Sequence, residues 1–270
     1  MRGNDLPNGP GENIMYSDKE SNADETENYM INTIFYDLDG TLLPMDQDHF
    51  VKRYFRRLAA KTEALGFDSS RLADAVWGGI AAIIKNDGSR FNDEVFWEYF
   101  TGIYGREIMA ARPVYDEFYR GEFGQLSCAC GFNPLVKDTV RGLKSAGYTA
   151  VLATNPVFPV PATEHRIRWT GLEPEDFVHI TTYENCRHCK PSLAYYTELC
   201  DELKLRPEDC LMVGNDVDED MVAEKLGMKC FLLTDCLINK NGADIDRWPH
   251  GGFDDLQKFV AGLKAGEKEI

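Results

Sequence analysis

Residues 34–42 (IFYDLDGTL) constrain the fold of this chain more than any other stretch. An apolar run typical of a buried strand ends there in two carboxylates, Asp37 and Asp39, followed by glycine and threonine. Alternate residues of an extended segment point the same way, so the two carboxylates would crowd together where the strand ends. Like charges so close raise each other's pKa unless a cation or a chemical task holds them there. By itself the stretch fits both a metal-assisted phosphoryl-transfer site and a plain turn after a core strand.

Composition and charge describe an ordinary globular protein and exclude some partners. The 270 residues are 43% hydrophobic and 27% charged, which is enough for one large or two modest domains with a substantial core. The formal net charge is −16. Nucleic acids and anionic membranes require a positive protein surface, so we predict that neither is a partner.

The lack of long apolar segments makes a cytoplasmic enzyme the default expectation. No uninterrupted apolar run reaches the roughly 18 residues that a membrane span requires, and no apolar segment typical of a secretory signal follows the N-terminal arginine. The eight cysteines are therefore interpreted as reduced thiols. Cys128 with Cys130 and Cys186 with Cys189 could suggest zinc, but their spacing is not a common zinc framework.

The pattern of apolar residues divides the chain into three parts. Residues 1–29 are polar and lack periodicity, so we expect a disordered extension. Residues 46–130 show helical periodicity without a strand pattern, which predicts an inserted all-helical domain. Residues 30–45 and 131–270 form the remaining core, where strands and helices alternate. This alternation predicts an α/β fold with a parallel sheet covered by helices on both faces.

The core elements can be placed individually. Strands are predicted at residues 32–37, 148–153, 177–181, 211–213 and 229–233, and helices at residues 135–145, 193–203 and 219–226. The helical insert enters after the first strand and leaves before the second. We therefore expect a separate, lid-like domain rather than an extension of the sheet.

Polar residues also follow the other predicted strands. Thr154 and Asn155 come at the end of the second strand, where a hydroxyl and backbone N–H groups could hold a phosphate. Lys190 supplies a cation ahead of a helix, and Asp216 and Asp220 follow the fourth strand. Each has an ordinary explanation alone, such as a helix cap or a solvated helix start. Because ligands bind at the carboxyl ends of parallel strands, their convergence predicts a site.

These segments resemble, in the same order, the four motifs of the haloacid dehalogenase (HAD) superfamily. The resemblance spans residues 33–235 and is carried by residues 37–42 (DLDGTL), Thr154 with Asn155, Lys190 with Pro191, and residues 214–220. It implies a Rossmann-like parallel core of the HAD fold, with the insert as a helical cap of the C1 type. The fourth motif departs slightly, because Asn215 stands where an aspartate is usual and Asp216 follows it.

The resemblance implies roles for the acidic residues. Asp37 would be the nucleophile that forms an aspartyl-phosphate. Asp39 would protonate the leaving oxygen and later deprotonate the hydrolytic water. Mg²⁺ would bind Asp37, the backbone carbonyl of Asp39, and Asp216, with Asp220 as the second choice for the last position.

Further residues would bind the substrate. The phosphate would be held by Thr41, Thr154, Asn155 and Lys190, and Lys190 would also take part in catalysis as a fixed positive charge. Arg90, in the loop at residues 85–90 of the insert, is expected to contact the substrate. Dehalogenating relatives need neither a metal nor a second acid, so Asp39 and Asp216 argue for phosphate over halide.

The predicted function is a Mg²⁺-dependent phosphatase that acts on a small phosphorylated metabolite, as a monomer or a homodimer. One alternative is a phosphomutase on the same core. Another is a non-catalytic phosphate-binding regulatory protein, which is disfavoured because all four polar motifs are present. Mg²⁺-dependent release of inorganic phosphate separates the phosphatase from a pure binder, and isomerisation without net release identifies a mutase.

Overall fold

A parallel sheet forms the centre of the computed structural model, which describes residues 30–266; the expected disorder of residues 1–29 lies outside them. The strands are β1 (Thr33–Tyr36), β2 (Thr149–Leu152), β3 (His179–Ile180), β4 (Cys210–Gly214), β5 (Lys229–Leu233) and β6 (His250–Gly251). They are hydrogen-bonded in the order β3-β2-β1-β4-β5-β6, and all pairs are parallel. This is the order of a doubly wound Rossmann-type sheet. The predicted α/β fold class is confirmed.

Eight α-helices are described, four of them in the insert. The insert contains α1 (Gln47–Ala64), α2 (Leu72–Ile84), α3 (Asn92–Tyr104) and α4 (Ile108–Arg120), and it ends in a 3₁₀ helix (Glu122–Ala129). The core contains α5 (Leu135–Ser145), α6 (Val160–Trp169), α7 (Leu193–Leu203) and α8 (Phe253–Gly266). The division into two domains at residues 46 and 130 stays a prediction.

Strand β1 is apolar throughout because helices cover both faces of the sheet. Ile34 and Tyr36 pack in one buried cluster with residues of α5 and α8, whereas Phe35 packs on the opposite face with residues of α7. Successive side chains of a strand point to opposite faces. A central strand buried on both faces therefore needs a continuous apolar run, which is what the sequence provides.

Most predicted core elements are found, and the short or weakly apolar ones account for some of the differences. The predicted helices at 135–145 and 193–203 and the strand at 229–233 agree with the structure. The predicted helix at 219–226 is instead a 3₁₀ helix, Met221–Leu226. Helix α6 was missed because its ten residues (VPATEHRIRW) carry few apolar positions. Strand β6, with two residues, is too short to show an alternating pattern, and α8 was also not predicted.

At least two groups of contacts join the insert to the core. In the first, Phe123 of the 3₁₀ helix stacks on Trp169 of α6, with ring centroids 5.6 Å apart. In the second, the first backbone N–H groups of α3 donate to core carbonyls, from Asn92 to Cys186 (2.9 Å) and from Asp93 to Tyr183 (2.8 Å). None of the helices described within residues 30–266 combines the length and apolar character needed to cross a bilayer.

Candidate active site

Strand register brings the predicted site residues together. Tyr36 at the end of β1 pairs with Leu152 of β2 on one side and with Val213 of β4 on the other. The residues that follow these three strands therefore emerge side by side at one edge of the sheet. The Asp37 backbone N–H donates to the Val213 carbonyl (2.9 Å), which extends the β1–β4 pairing into the site. This edge is the topological switch point of a doubly wound sheet, where such folds bind ligands.

A cavity of about 330 Å³ opens between this edge and the insert. The predicted site residues that line it are Asp37, Asp39, Thr154, Asn155, Asp216 and Asp220. The structure thus gathers side chains that are separated by more than a hundred positions in the sequence. Lys190 and Thr41 lie behind this lining, and Arg90 lies elsewhere.

Lys190 is a buried cation beneath the proposed nucleophile. Its Nζ lies 2.9 Å from Oδ1 of Asp37 and 2.7 Å from Oδ1 of Asp220, and the residue is 1% exposed. Burial by itself lowers the pKa of Lys190, but the carboxylates of Asp220 and Asp37 raise it well above its usual value. Lys190 is therefore charged and holds one oxygen of Asp37 in a fixed position.

Asp220 orients Lys190, and its position does not favour a metal. One carboxylate oxygen accepts from Lys190, and the other accepts from the backbone N–H of Asp216 (3.0 Å). Gly214 permits this arrangement, since a Cβ at that position would overlap the Asp220 carboxylate. Asp216 is more accessible than Asp220, at 8% against 1% exposed, and its Oδ1 accepts from the backbone N–H groups of residues 218 and 219 (2.9 and 3.0 Å). Of the two predicted metal ligands, Asp216 is the better placed.

Thr41, which was predicted to hold the phosphate, is not among the residues that line the cavity. Its hydroxyl donates to Oδ1 of Asn215 (2.8 Å), and the Asn215 amide donates in turn to the carbonyl of Cys236 (2.7 Å). Thr41 is 3% exposed. Gly40 adopts φ +88°, and a Cβ there would collide with the Asn215 amide. Thr41 thus fixes Asn215, which lines the cavity, and phosphate binding by Thr41 itself stays a prediction.

Two side-chain hydroxyl groups hold the loop after β2 in place. The Thr154 carbonyl accepts from Oγ1 of Thr181 (2.7 Å) and from the hydroxyl of Tyr195 (2.9 Å). The Asn155 side-chain amide donates to Glu219 (3.1 Å). Glu219 lines the cavity, and burial raises the pKa of its carboxyl group. Sequence reasoning assigned no role to Glu219, although this residue lies within the acidic run at residues 216–220.

Asp39 has a cationic partner that sequence reasoning missed. Arg166 of α6, 1% exposed, forms an ion pair with Oδ2 of Asp39 and also donates to Oγ1 of Thr163 (3.1 Å). The guanidinium lies 4.5 Å from the ring centroid of Phe158. Burial raises the pKa of Asp39, and this outweighs the opposing effect of Arg166. No short motif marks Arg166, because its contact with Asp39 exists only in the folded chain.

Arg90 does not reach the cavity, contrary to the prediction. Its guanidinium pairs with Glu98 of α3 at the protein surface. The loop at residues 85–90 instead lies on His188, whose ring a Cβ at Gly88 would overlap. The reason is the attachment of α3: hydrogen bonds from Asn92 to the segment before Lys190 turn this loop away from Asp37.

Fold and site together define an α/β protein with a carboxylate-rich cavity at its switch point. The family model of haloacid dehalogenase-like hydrolases matches residues 31–226. The chain belongs to this family, and the predicted membership is confirmed.

Curated relatives and solved structures extend the comparison. Over 211 residues the chain is 28% identical to a phosphoglycolate phosphatase of Vibrio vulnificus, covering 76% of this chain and 84% of the relative. It is 25% identical to a glyceraldehyde 3-phosphate phosphatase of Methanothermobacter thermautotrophicus, covering 80% and 94%. The structure of a 2-haloacid dehalogenase from Pseudomonas syringae matches with a TM-score of 0.57 at 20% identity, covering 86% and 99%. The last match shows a shared fold.

Proposed function

We propose that this hydrolase is a phosphatase that cleaves the phosphate monoester of a small metabolite through an aspartyl-phosphate on Asp37. One observation carries the proposal: Asp37 lines a cavity at the switch point while Lys190 holds its Oδ1 from behind at 2.9 Å. A carboxylate fixed beside a buried cation can attack an electrophile without first having to be oriented. The two curated relatives, both phosphatases of small phosphorylated compounds, support the same reaction class.

In the first step, a carboxylate oxygen of Asp37 attacks phosphorus, and the bond between phosphorus and the leaving oxygen breaks. Asp39 gives its proton to that oxygen, so an alcohol departs. Arg166 engages Oδ2 of Asp39, whereas Oδ1 has no hydrogen-bond partner among the described residues. Oδ1 is thereby left to carry the proton toward the substrate.

In the second step, water attacks the phosphorus of the aspartyl-phosphate. The bond between phosphorus and Asp37 breaks, and the proton of the water returns to Asp39, which restores both carboxyl groups. Lys190 balances the negative charge next to Asp37 throughout, and Thr154 and Asn155 line the same cavity. Positioning and charge complementarity are the main contributions that a protein makes to phosphoryl transfer.

The donor set fits Mg²⁺. The carboxylates of Asp37 and Asp216 line one end of the cavity and supply the hard oxygen ligands that this ion prefers. Within residues 30–266, no three His, Cys, Asp or Glu side chains lie close enough to hold a metal by themselves. Mg²⁺ commonly binds through one or two carboxylates, with waters and substrate phosphate completing its shell. Bound there, the ion would neutralise the repulsion between two anions.

The direct test is release of inorganic phosphate from 4-nitrophenyl phosphate, with Mg²⁺ and with a chelator. We expect release only with Mg²⁺. We also expect Asp216→Asn to require at least about tenfold more Mg²⁺ for half-maximal activity, because it removes a ligand charge. Asp218→Asn is the matched control, since the Asp218 side chain is bonded to Asn241 at the surface. Equal Mg²⁺ requirements of the two variants would contradict the assignment of Asp216.

A further inference from the structure

The cavity has two chemically different ends. Its acidic floor, at the strand ends, consists of Asp37, Asp39, Asp216, Glu219 and Asp220. Its aromatic wall, supplied by the insert, consists of Phe50, Tyr54, Phe96, Trp97, Phe100, Tyr115 and Tyr119. Aliphatic side chains of the insert, among them Val76 and Ile80, fill the gaps between the rings. The phosphate belongs at the floor, so the rest of a substrate must lie against the wall.

The tyrosines of the wall do not make it polar. The hydroxyls of Tyr54 and Tyr119 are 2.6 Å apart and bond to each other, and the Tyr115 hydroxyl lies 2.9 Å from Oγ1 of Thr62. Buried hydroxyls that are already paired gain little from a polar ligand, whereas an unpaired one would call for a partner. The wall therefore presents mainly ring surfaces to the cavity.

The wall is a binding surface rather than a fault in packing. Protein interiors contain few voids larger than a water molecule, and this one has about 330 Å³. Its mouth is apolar too: Trp77 and Ile84 of α2 line the cavity and yet are 50% and 53% exposed. Exposed apolar side chains at the rim of an apolar cavity are typical of a ligand site.

Charge at the cavity excludes one class of substrate from the wall. No charged residue of the insert is found among the lining residues of the described chain. Lys240 is the single lysine or arginine in that lining, and it lies two residues after Ile238, whose backbone pairs with Asp216. The cation thus sits at the floor end. A carboxylate carried beyond the phosphate would be buried against rings without a counter-charge, which is unfavourable.

We infer that the substrate is the phosphate monoester of an uncharged, apolar alcohol whose hydrocarbon body packs against the aromatic wall. This inference rests on the proposed phosphatase function and adds the class of leaving group. It separates this protein from the curated relative named for phosphoglycolate, whose alcohol carries a carboxylate. Each methylene transferred from water to the wall gains hydrophobic free energy.

The test is a series of n-alkyl phosphates from ethyl to octyl, assayed for phosphate release beside phosphoglycolate. The alcohols of the series differ little in leaving ability, so chain length reports contact with the wall. We expect kcat/KM to rise about threefold per added methylene until the cavity is full. The kcat/KM for hexyl phosphate should exceed that for phosphoglycolate by at least about 100-fold, because the hexyl chain gains contact with the wall and the carboxylate does not.

A charge at the mouth sharpens the test. Trp77→Lys should lower kcat/KM for hexyl phosphate by at least about tenfold and raise it for phosphoglycolate. Trp77 is half-exposed, so the variant should fold, and circular dichroism checks this. Phe132→Lys is the control: Phe132 is 63% exposed and does not line the cavity, so neither substrate should be affected. Trp77→Ala is a second, uncharged variant, and it should lower kcat/KM for hexyl phosphate but not for phosphoglycolate.

The outcomes separate the inference from the proposed function. The inference is wrong if kcat/KM does not change with chain length among the esters that are hydrolysed, or if phosphoglycolate is preferred. Either result would still agree with the proposed phosphatase function. Release of phosphate from none of the alkyl esters, phosphoglycolate or 4-nitrophenyl phosphate would overturn the proposed function, and the inference with it.

Discussion

The acidic floor and the aromatic wall face the same space but are held in place by different forces. Floor side chains have directional partners, as Asp37 has in Lys190 and Asp39 in Arg166. Wall side chains pack ring against ring, for example Phe100 against Tyr115 with centroids 6.1 Å apart. Removing one polar atom leaves a specific partner unsatisfied, whereas a packed surface can accommodate related shapes. Chemistry should therefore depend on single floor residues, and substrate preference on the wall as a whole.

The largest effect expected at the floor is that of Asp37→Asn. The amide retains the shape of the side chain but is a poor nucleophile and carries no charge. Turnover of 4-nitrophenyl phosphate should fall by about 10⁴-fold or more, measured by release of nitrophenolate. Preparations must show an unchanged circular dichroism spectrum. Retained turnover in the folded variant would rule out the aspartyl-phosphate mechanism.

The next effect tests whether charge pairing holds the floor. Lys190→Met leaves Asp37 and Asp220 buried without their cation, and the free energy of unfolding should fall by about 3–5 kcal/mol. Urea unfolding measures it. Lys258→Met is the control, because Lys258 is largely exposed beside Asp255 and its loss should change the unfolding free energy by less than about 0.5 kcal/mol. Similar unfolding free energies for the two variants would mean that the ion pairs of Lys190 with Asp37 and Asp220 do not stabilise the floor.

A smaller effect is expected where floor and wall meet, at Arg166. Arg166→Met frees the carboxyl group of Asp39, so protonation of the leaving oxygen should become inefficient. Turnover of hexyl phosphate, whose alcohol must be protonated, should fall about 100-fold, and that of 4-nitrophenyl phosphate less than about tenfold. A purely structural role would slow both substrates alike.

The matched control for this variant is Arg168→Met on the same helix. Arg168 pairs with Glu164 and Glu173 at the surface, so both substrates should be hydrolysed at the original rate. Arg166→Lys should recover part of the hexyl phosphate activity, since it restores the charge but not the planar geometry.

The smallest effect is that of Thr41→Val, which keeps the side-chain shape and removes the hydroxyl. Oδ1 of Asn215 then loses its donor, which should cost about 1–3 kcal/mol of stability in thermal or urea unfolding. KM should change by less than about threefold if Thr41 only fixes Asn215. A large rise in KM with unchanged stability would instead support the sequence-based expectation that Thr41 binds the phosphate.

Local patterns explain why the sheet and much of the floor were predictable. The apolar run ending at Asp37 and the helices at 135–145 and 193–203 are each specified by residues close together in sequence. The order of strand ends then places Asp37, Thr154 and Asp216 at one edge. Helix α6 was missed because tertiary packing, rather than an amphipathic pattern of its own, stabilises it.

Contacts between distant segments explain what was not predictable. Arg90 looked available in a polar loop, yet hydrogen bonds of Asn92 to the core turn that loop away. Arg166 belongs to none of the motifs recognised in the sequence, yet it is 1% exposed and pairs with Asp39. Thr41 belongs to a recognisable motif, but its partner Asn215 lies 174 positions away.

The sequence by itself determined most of the side chains that meet at the floor, because the carboxylates and the lysine follow strands whose apolar pattern and order are encoded locally. Only the tertiary structure decided which partner each floor residue has and what the wall is made of. Helical periodicity shows that Phe50 or Trp97 is buried, but not whether it packs into a core or lines a cavity. That distinction depends on how four helices of the insert meet the sheet, and no short stretch of sequence contains it.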